Sequence, residues 1–156
     1  MDHVARGVGA TSSAIAPSNG PLIDTMGHLL ASAATLQMVI VPEEDRFTPF
    51  HLTVHVGDTV QFVNNDEDDH TVVTDEKLNT LGLRINQKLV GLEHNNDQPG
   101  TLDFTFDSPG TVAYYCRFHS HLDRKHQPVA PGPRGGIESR KGNFGTPMMG
   151  VITVEP

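Results

Sequence analysis

Residues 52–64 read LTVHVGDTVQFVN, two runs of strict alternation joined by Gly57-Asp58. Leu52, Val54 and Val56 alternate with Thr53 and His55, and Val60 and Phe62 alternate with Thr59 and Gln61. A period of two puts every second side chain on one face of an extended chain. Each run therefore predicts a strand with one apolar face, and the Gly-Asp pair predicts the turn between them. Working outward, the same period recurs at Leu102, Phe104 and Phe106, at Val112, Tyr114 and Cys116, and at Ile152 and Val154. With LQMVIV at 36–41 and the segment around Thr71–Thr74, there are six or seven short strands separated by Gly, Pro and Asp turns. The pattern predicts an all-β fold, a Greek-key antiparallel β-sandwich, over residues 34–156.

The remainder of the chain lacks this period. Residues 1–33 read as an N-terminal extension. Within it, PLIDTMGHLLASA (21–33) predicts one short helix, with Pro21 in the first turn and Leu22, Met26, Leu29 and Leu30 at helical spacing. Its apolar stripe suits either a cover over one end of the domain or a homo-oligomer contact through residues 1–33. Residues 1–20 lack the basic start and the apolar run of ~7–15 residues of a secretory signal, so either a signal has been removed or the protein stays inside. Extra material also falls at 76–99 and at 120–147. The second is rich in Pro and Gly and reads as a long surface loop before the last strand, either functional or an insertion.

Composition narrows the function. Nineteen acidic against eleven basic residues give a formal charge of −8, which argues against nucleic acid as a partner. No stretch approaches the ~20 apolar residues of a membrane span. One cysteine, Cys116, excludes an internal disulfide, a paired-cysteine zinc site and a cysteine-ligated cluster. The nine histidines beside it require an explanation.

Four residues of metal-binding type stand at strand ends. His70 closes NNDEDDH, Cys116 closes TVAYYC, His119 follows in CRFH, and Met148 opens MMGVITV. Two imidazoles, a thiolate and a thioether form the mixed soft and borderline set that copper uses in electron-transfer sites. Cys116 at a strand end and His119 in the turn after it can reach one point at the end of the sandwich, with His70 arriving from a neighbouring junction.

These phrases resemble a family. V-x-V-G-D-T-V-x-F-x-N at 54–64, His70 with Thr71-Val72, P-G-T-V-x-Y-Y-C-x-x-H at 109–119 and M-x-G-x-I-x-V at 148–154 are similar, in order, to the cupredoxins, the plastocyanin, amicyanin and azurin group of blue copper proteins. The resemblance implies copper ligands His70, Cys116, His119 and Met148, and one type 1 copper per chain cycling between Cu(I) and Cu(II). It also implies an electron carrier between donor and acceptor proteins rather than an enzyme, working in the periplasm or outside the cell. In that family the second histidine is the exposed edge through which the electron passes, which here implies His119.

The pattern also departs from the family. Relatives place the axial methionine a few residues after the second histidine, where this chain has Leu122 in the shortest alignment, and Met148 lies beyond the 120–147 insertion. Met148 is preferred to Met149 because it completes M-x-G and shares parity with Gly150, Ile152 and Val154. His121 and His126 remain alternatives for the axial position. Rival readings are a red-copper, nitrosocyanin-like site open to small molecules, and a copper-handling protein without electron transfer. A third is a second copper on the spare histidines His51, His55, His94, His121 and His126, as in copper nitrite reductases, which need two such domains where this chain has room for one. Charge is uneven. Asp66, Glu67, Asp68, Asp69, Asp75 and Glu76 fall within 64–76, and Arg117, Arg124, Lys125, Arg134, Arg140 and Lys141 within 117–141. The two loops either pair with each other, form a two-signed docking rim, or are solvated faces.

Overall fold

The computed structural model describes residues 33–42, 45–130 and 146–156. Its strands are β1 (Leu36–Val41), β2 (His51–His55), β3 (Thr59–Asn64), β4 (His70–Asn79), β5 (Asn86–Leu89), β6 (Gly100–Thr105), β7 (Gly110–Tyr115), β8 (His121–Leu122), β9 (Pro128–Val129) and β10 (Met149–Glu155). One sheet has the order β1-β3-β6 and the other β2-β10-β7-β4-β5, with β8 and β9 as a separate hairpin. The expected all-β sandwich is present. Its pairing is not purely antiparallel, because β1 runs parallel to β3 and β10 parallel to β2. The reason is the crossover: β2 lies in the opposite sheet from β1 and β3, so the chain returns to the first sheet in its original direction.

The alternation read from the sequence is matched by burial in most strands, except that Val56 is exposed and Leu52, Leu102 and Phe104 are only partly buried. Val54, Val60, Phe62, Val112, Tyr114, Ile152 and Val154 are all buried between the sheets. Removing each such side chain from water contributes about 1.5–3 kcal/mol. Tyr114 organises the centre, meeting Phe47 and Phe62 edge-on at ring distances of 4.9 and 5.0 Å. Gly150, its partner across the β7–β10 ladder, makes room for it: a Cβ there would overlap the Tyr114 ring and hydroxyl.

The Gly57-Asp58 turn also has a tertiary role. Gly57 takes φ +95, open to glycine and costly to most other residues. The buried Asp58 carboxylate then accepts the His55 N–H at 2.9 Å and the Thr35 N–H at 2.7 Å, tying the turn to the start of β1. Those backbone hydrogen bonds hold its carboxyl below the ordinary carboxylate range.

Three elements differ from the reading of the sequence. β5 was absent from it because Asn86, Gln87 and Lys88 are exposed and only Leu89 enters the core. A strand whose neighbours cover it on one residue shows no alternation. β8 and β9 fold part of the 120–147 loop back on itself, closed by the Asp123 and Gln127 backbones. The helix expected over 21–33 lies outside the described residues except at its last position, as do residues 131–145 of the loop. Among the described residues no helix is long and apolar enough to cross a membrane.

Candidate metal centre

β4 lies between β5 and β7, and its first residue, His70, is fully buried at the end of the larger sheet. The β4–β7 register sets Val73 opposite Tyr115, so Cys116, one residue past β7, comes opposite Val72 and next to Thr71. There the Thr71 N–H donates to Cys116 Sγ at 3.3 Å, and the Arg117 N–H donates to Thr71 Oγ1 at 3.0 Å. A tight turn then brings His119 back, its N–H on the Cys116 carbonyl at 3.3 Å. The three side chains converge. Nδ1 of His70 and Nδ1 of His119 are 3.1 Å apart, and Sγ of Cys116 is 3.8 and 3.7 Å from them. All three residues are buried, and the sheet register and backbone hydrogen bonds described above place them.

The other nitrogen of each ring faces a carboxylate. His70 Nε2 is 3.0 Å from Asp66 Oδ2, and His119 Nε2 is 3.5 Å from Asp45 Oδ1. An ionised carboxylate only accepts, so the Asp66 contact places a proton on His70 Nε2 and leaves its Nδ1 facing the Cys116 sulfur. The sequence signals for these partners were weak. Asp66 stood in an acidic run read as a loop surface, and nothing local marked Asp45. Among the described residues Asp69 bonds Lys88 and His94 beside it, Glu76 bonds Arg84, and Asp75 reaches His126 of the basic loop. Arg134, Arg140 and Lys141 lie outside the described residues.

The expectation that His119 is an exposed edge is corrected. Its side chain is 8% exposed, closed over by Asp45 on its outer nitrogen. Met148 lies where parity put it, 1% exposed, on the side of Gly150, Ile152 and Val154, while Met149 is half-buried. The Met148 carbonyl accepts the Cys116 N–H at 3.0 Å and the Ser120 hydroxyl at 3.1 Å, which fixes residue 148 next to the thiol. His121 is exposed on β8, and His126 bonds Asp75 at 3.1 Å. His51, His55 and His94 bond separate groups and do not converge. A surface cleft of about 450 Å³ beside β4 holds His126 and none of the three converging donors.

Burial pushes the Cys116 thiol up, but hydrogen bonds and charge from His119 and His70 outweigh it and bring it from 9.0 down to about 6. The same contacts, with Asp66, outweigh burial at His70 and raise that imidazole. A proton and a metal ion compete for the same three atoms. In the copper-free protein, thiolate absorbance should therefore appear as pH rises through about 6 rather than through 9.0. With His119→Ala and His70→Ala combined, burial is opposed by the Thr71 N–H but no longer by the rings, and the midpoint should rise well above 6; an unchanged midpoint would show that the rings do not govern the thiol.

Residues 35–125, more than half of the chain, match the family described as copper binding proteins, plastocyanin/azurin family. The chain belongs to that family. Chloroplastic plastocyanin of Physcomitrium patens is 31% identical over 120 residues, covering 74% of this chain and 71% of that protein. Chloroplastic plastocyanin of Oryza sativa subsp. indica is 33% identical over 95 residues, covering 59% and 61%. Among solved structures, the reduced state of an amicyanin mutant aligns at 20% identity and TM-score 0.47, covering 89% of this chain and 95% of that one. As a member of the plastocyanin/azurin family the protein is a copper-binding electron carrier and not an enzyme.

The residues present suit copper. A triangle with edges of 3.1, 3.7 and 3.8 Å has its centre about 2.1 Å from each corner, within the 2.0–2.3 Å range of metal–imidazole and metal–thiolate bonds. Two borderline nitrogens and one soft sulfur are the donors that hold both copper states.

Proposed function

We propose that His70, Cys116 and His119 hold copper in a trigonal set with Met148 as a weak axial donor, a type 1 centre that passes single electrons between a donor and an acceptor protein. The observation that carries this reading is the buried triangle of Nδ1, Nδ1 and Sγ, sized for one ion. Copper, when bound, supplies the one-electron couple. The chain's own residues do the rest: the Thr71 N–H steadies the sulfur, the carboxylates hold the rings, and the sandwich end excludes water. A site already fixed by backbone hydrogen bonds has little freedom to rearrange when its charge changes, which suits fast transfer.

Burial, parity and the backbone link to Cys116 favour Met148 as the axial donor over the exposed His121. Residues 34–156 form the cupredoxin domain in this reading and residues 1–33 an extension. In this reading the protein works outside the cytoplasm, periplasmic or extracellular, as the cupredoxin resemblance implies.

Spectroscopy tests the centre. The copper-loaded protein should show an intense thiolate-to-copper visible band and narrow copper hyperfine splitting; wide splitting would move the reading to a red-copper site. Met148→Leu should keep copper and colour while the potential rises by roughly 59 mV, a tenfold loss of Cu(II) relative to Cu(I). His121→Ala should leave both unchanged. The reverse pattern, with Met148→Leu silent and His121→Ala shifted, would transfer the axial role to His121.

A further inference from the structure

Behind the two rings lie two carboxylates that the ligand set does not use. Asp66 is locked: its Oδ1 accepts the Glu67 N–H at 2.8 Å, its own N–H donates to Asn64 Oδ1 at 3.0 Å, and its carbonyl accepts the Leu92 N–H at 2.9 Å. That leaves Oδ2 aimed at His70 Nε2, 3.0 Å away. Asp45 is 8% exposed; its Oδ1 lies 3.5 Å from His119 Nε2, and its buried Oδ2 has no hydrogen-bond partner among the described residues. Oxygens of Asp45 and Asp66 and a ring nitrogen of His70 all lie within 4.8 Å of one another. Two neighbouring buried carboxylates repel each other and lose hydration, a cost to folding that the surrounding structure must offset.

We propose that Asp66 and Asp45 are positioning residues that hold the His70 and His119 rings with Nδ1 toward copper and, by their charge, favour Cu(II) over Cu(I). The proposal rests on His70 and His119 being copper ligands. A carboxylate that accepts the Nε2–H fixes the tautomer and the ring plane and makes the opposite nitrogen more basic, which strengthens its bond to the more highly charged ion. With the Cys116 thiolate, the two carboxylates surround copper with three negative charges. Reduction then adds an electron to a site already net negative, and low-dielectric surroundings screen that repulsion poorly. Asp66, with the shorter and better fixed contact, carries the larger share.

The test compares Asp66→Asn, Asp45→Asn and Glu67→Gln in the copper-loaded protein. Glu67→Gln makes the same charge change at an exposed neighbouring position. Asp66→Asn should lose about tenfold in Cu(II) relative to Cu(I) affinity, raising the potential by about 59 mV. Asp45→Asn should shift it the same way by less, and Glu67→Gln should scarcely move it, with the thiolate band intact throughout. Nitrogen-15 spectra of the Cu(I) protein should place the protons of His70 and His119 on Nε2, a readout that needs no variant. An intact band with an unmoved potential in Asp66→Asn, or an equal shift in Glu67→Gln, overturns the inference while leaving the ligands in place. Loss of the band in the unmodified protein would remove the ligand reading itself, and this inference with it.

Discussion

Replacing Cys116 with serine should abolish the copper–thiolate colour completely while the sandwich stays folded. Cys116 is 0% exposed and belongs to the core cluster that holds Tyr114, Met148 and Ile152. Serine nearly conserves its shape, and its hydroxyl can still accept the Thr71 N–H that the sulfur accepts now. The cost in stability should therefore be about 1–2 kcal/mol, the scale of trading a small buried hydrophobe for a bonded hydroxyl. The electronic effect is total, because an alcohol oxygen, unlike a thiolate, stays protonated and hard at neutral pH and gives copper no covalent sulfur bond. Visible absorption of the copper-loaded variant reads the colour, and thermal unfolding by circular dichroism reads the fold. A variant that retained the intense band would refute the assignment of Cys116.

The second large effect is expected at a residue that offers no donor to a metal. Gly91 precedes the short turn at Leu92–His94, and a Cβ added there would run into the backbone carbonyls of Glu67 and Asp68. Its φ of −82 suits any residue, so the requirement is room and not backbone freedom. The segment backs the acidic loop closely: the Gly91 N–H bonds Asp69 Oδ1 at 2.9 Å, and the Leu92 N–H bonds the Asp66 carbonyl at 2.9 Å. Backbone cannot swing aside as a side chain can. Gly91→Ala should then cost about 3 kcal/mol, the upper part of the range for overpacking, and lower Tm by roughly 10 °C. Because the displaced loop carries Asp66 into His70, copper affinity should fall with stability. Calorimetry and copper titration of the variant would both have to match the unmodified protein for this account to fail.

Much of the fold was legible because most strands bury one face. In β3, β7 and β10, the residues named from their period of two are buried, and in β2 Val54 is buried while Leu52 is partly so. Such a pattern is local, and local patterns survive in a sequence. β5 was illegible for the opposite reason: one buried leucine in four residues carries no period. The ligands were legible as residue types at strand ends, and Met148 lay inside as its parity with Ile152 predicted. His119 was misjudged as exposed. Its outer nitrogen lies 3.5 Å from Asp45, 74 positions earlier, and no local signal reports a contact of that separation.

By itself, then, the sequence determined the strand periods, the Gly57-Asp58 turn and the donor types available to a metal, since each depends on residues within a few positions of one another. Tertiary structure alone decided how those donors meet. The β4–β7 register sets Thr71 against the Cys116 sulfur, the crossover makes two strand pairs parallel, and the packing of residues 91–93 behind the acidic loop turns Asp66 from a surface charge into a buried partner of His70. The physical reason is one of distance. Pairing and packing join segments tens of residues apart, and the buried charge, ring tautomer and donor triangle exist only once those segments have docked.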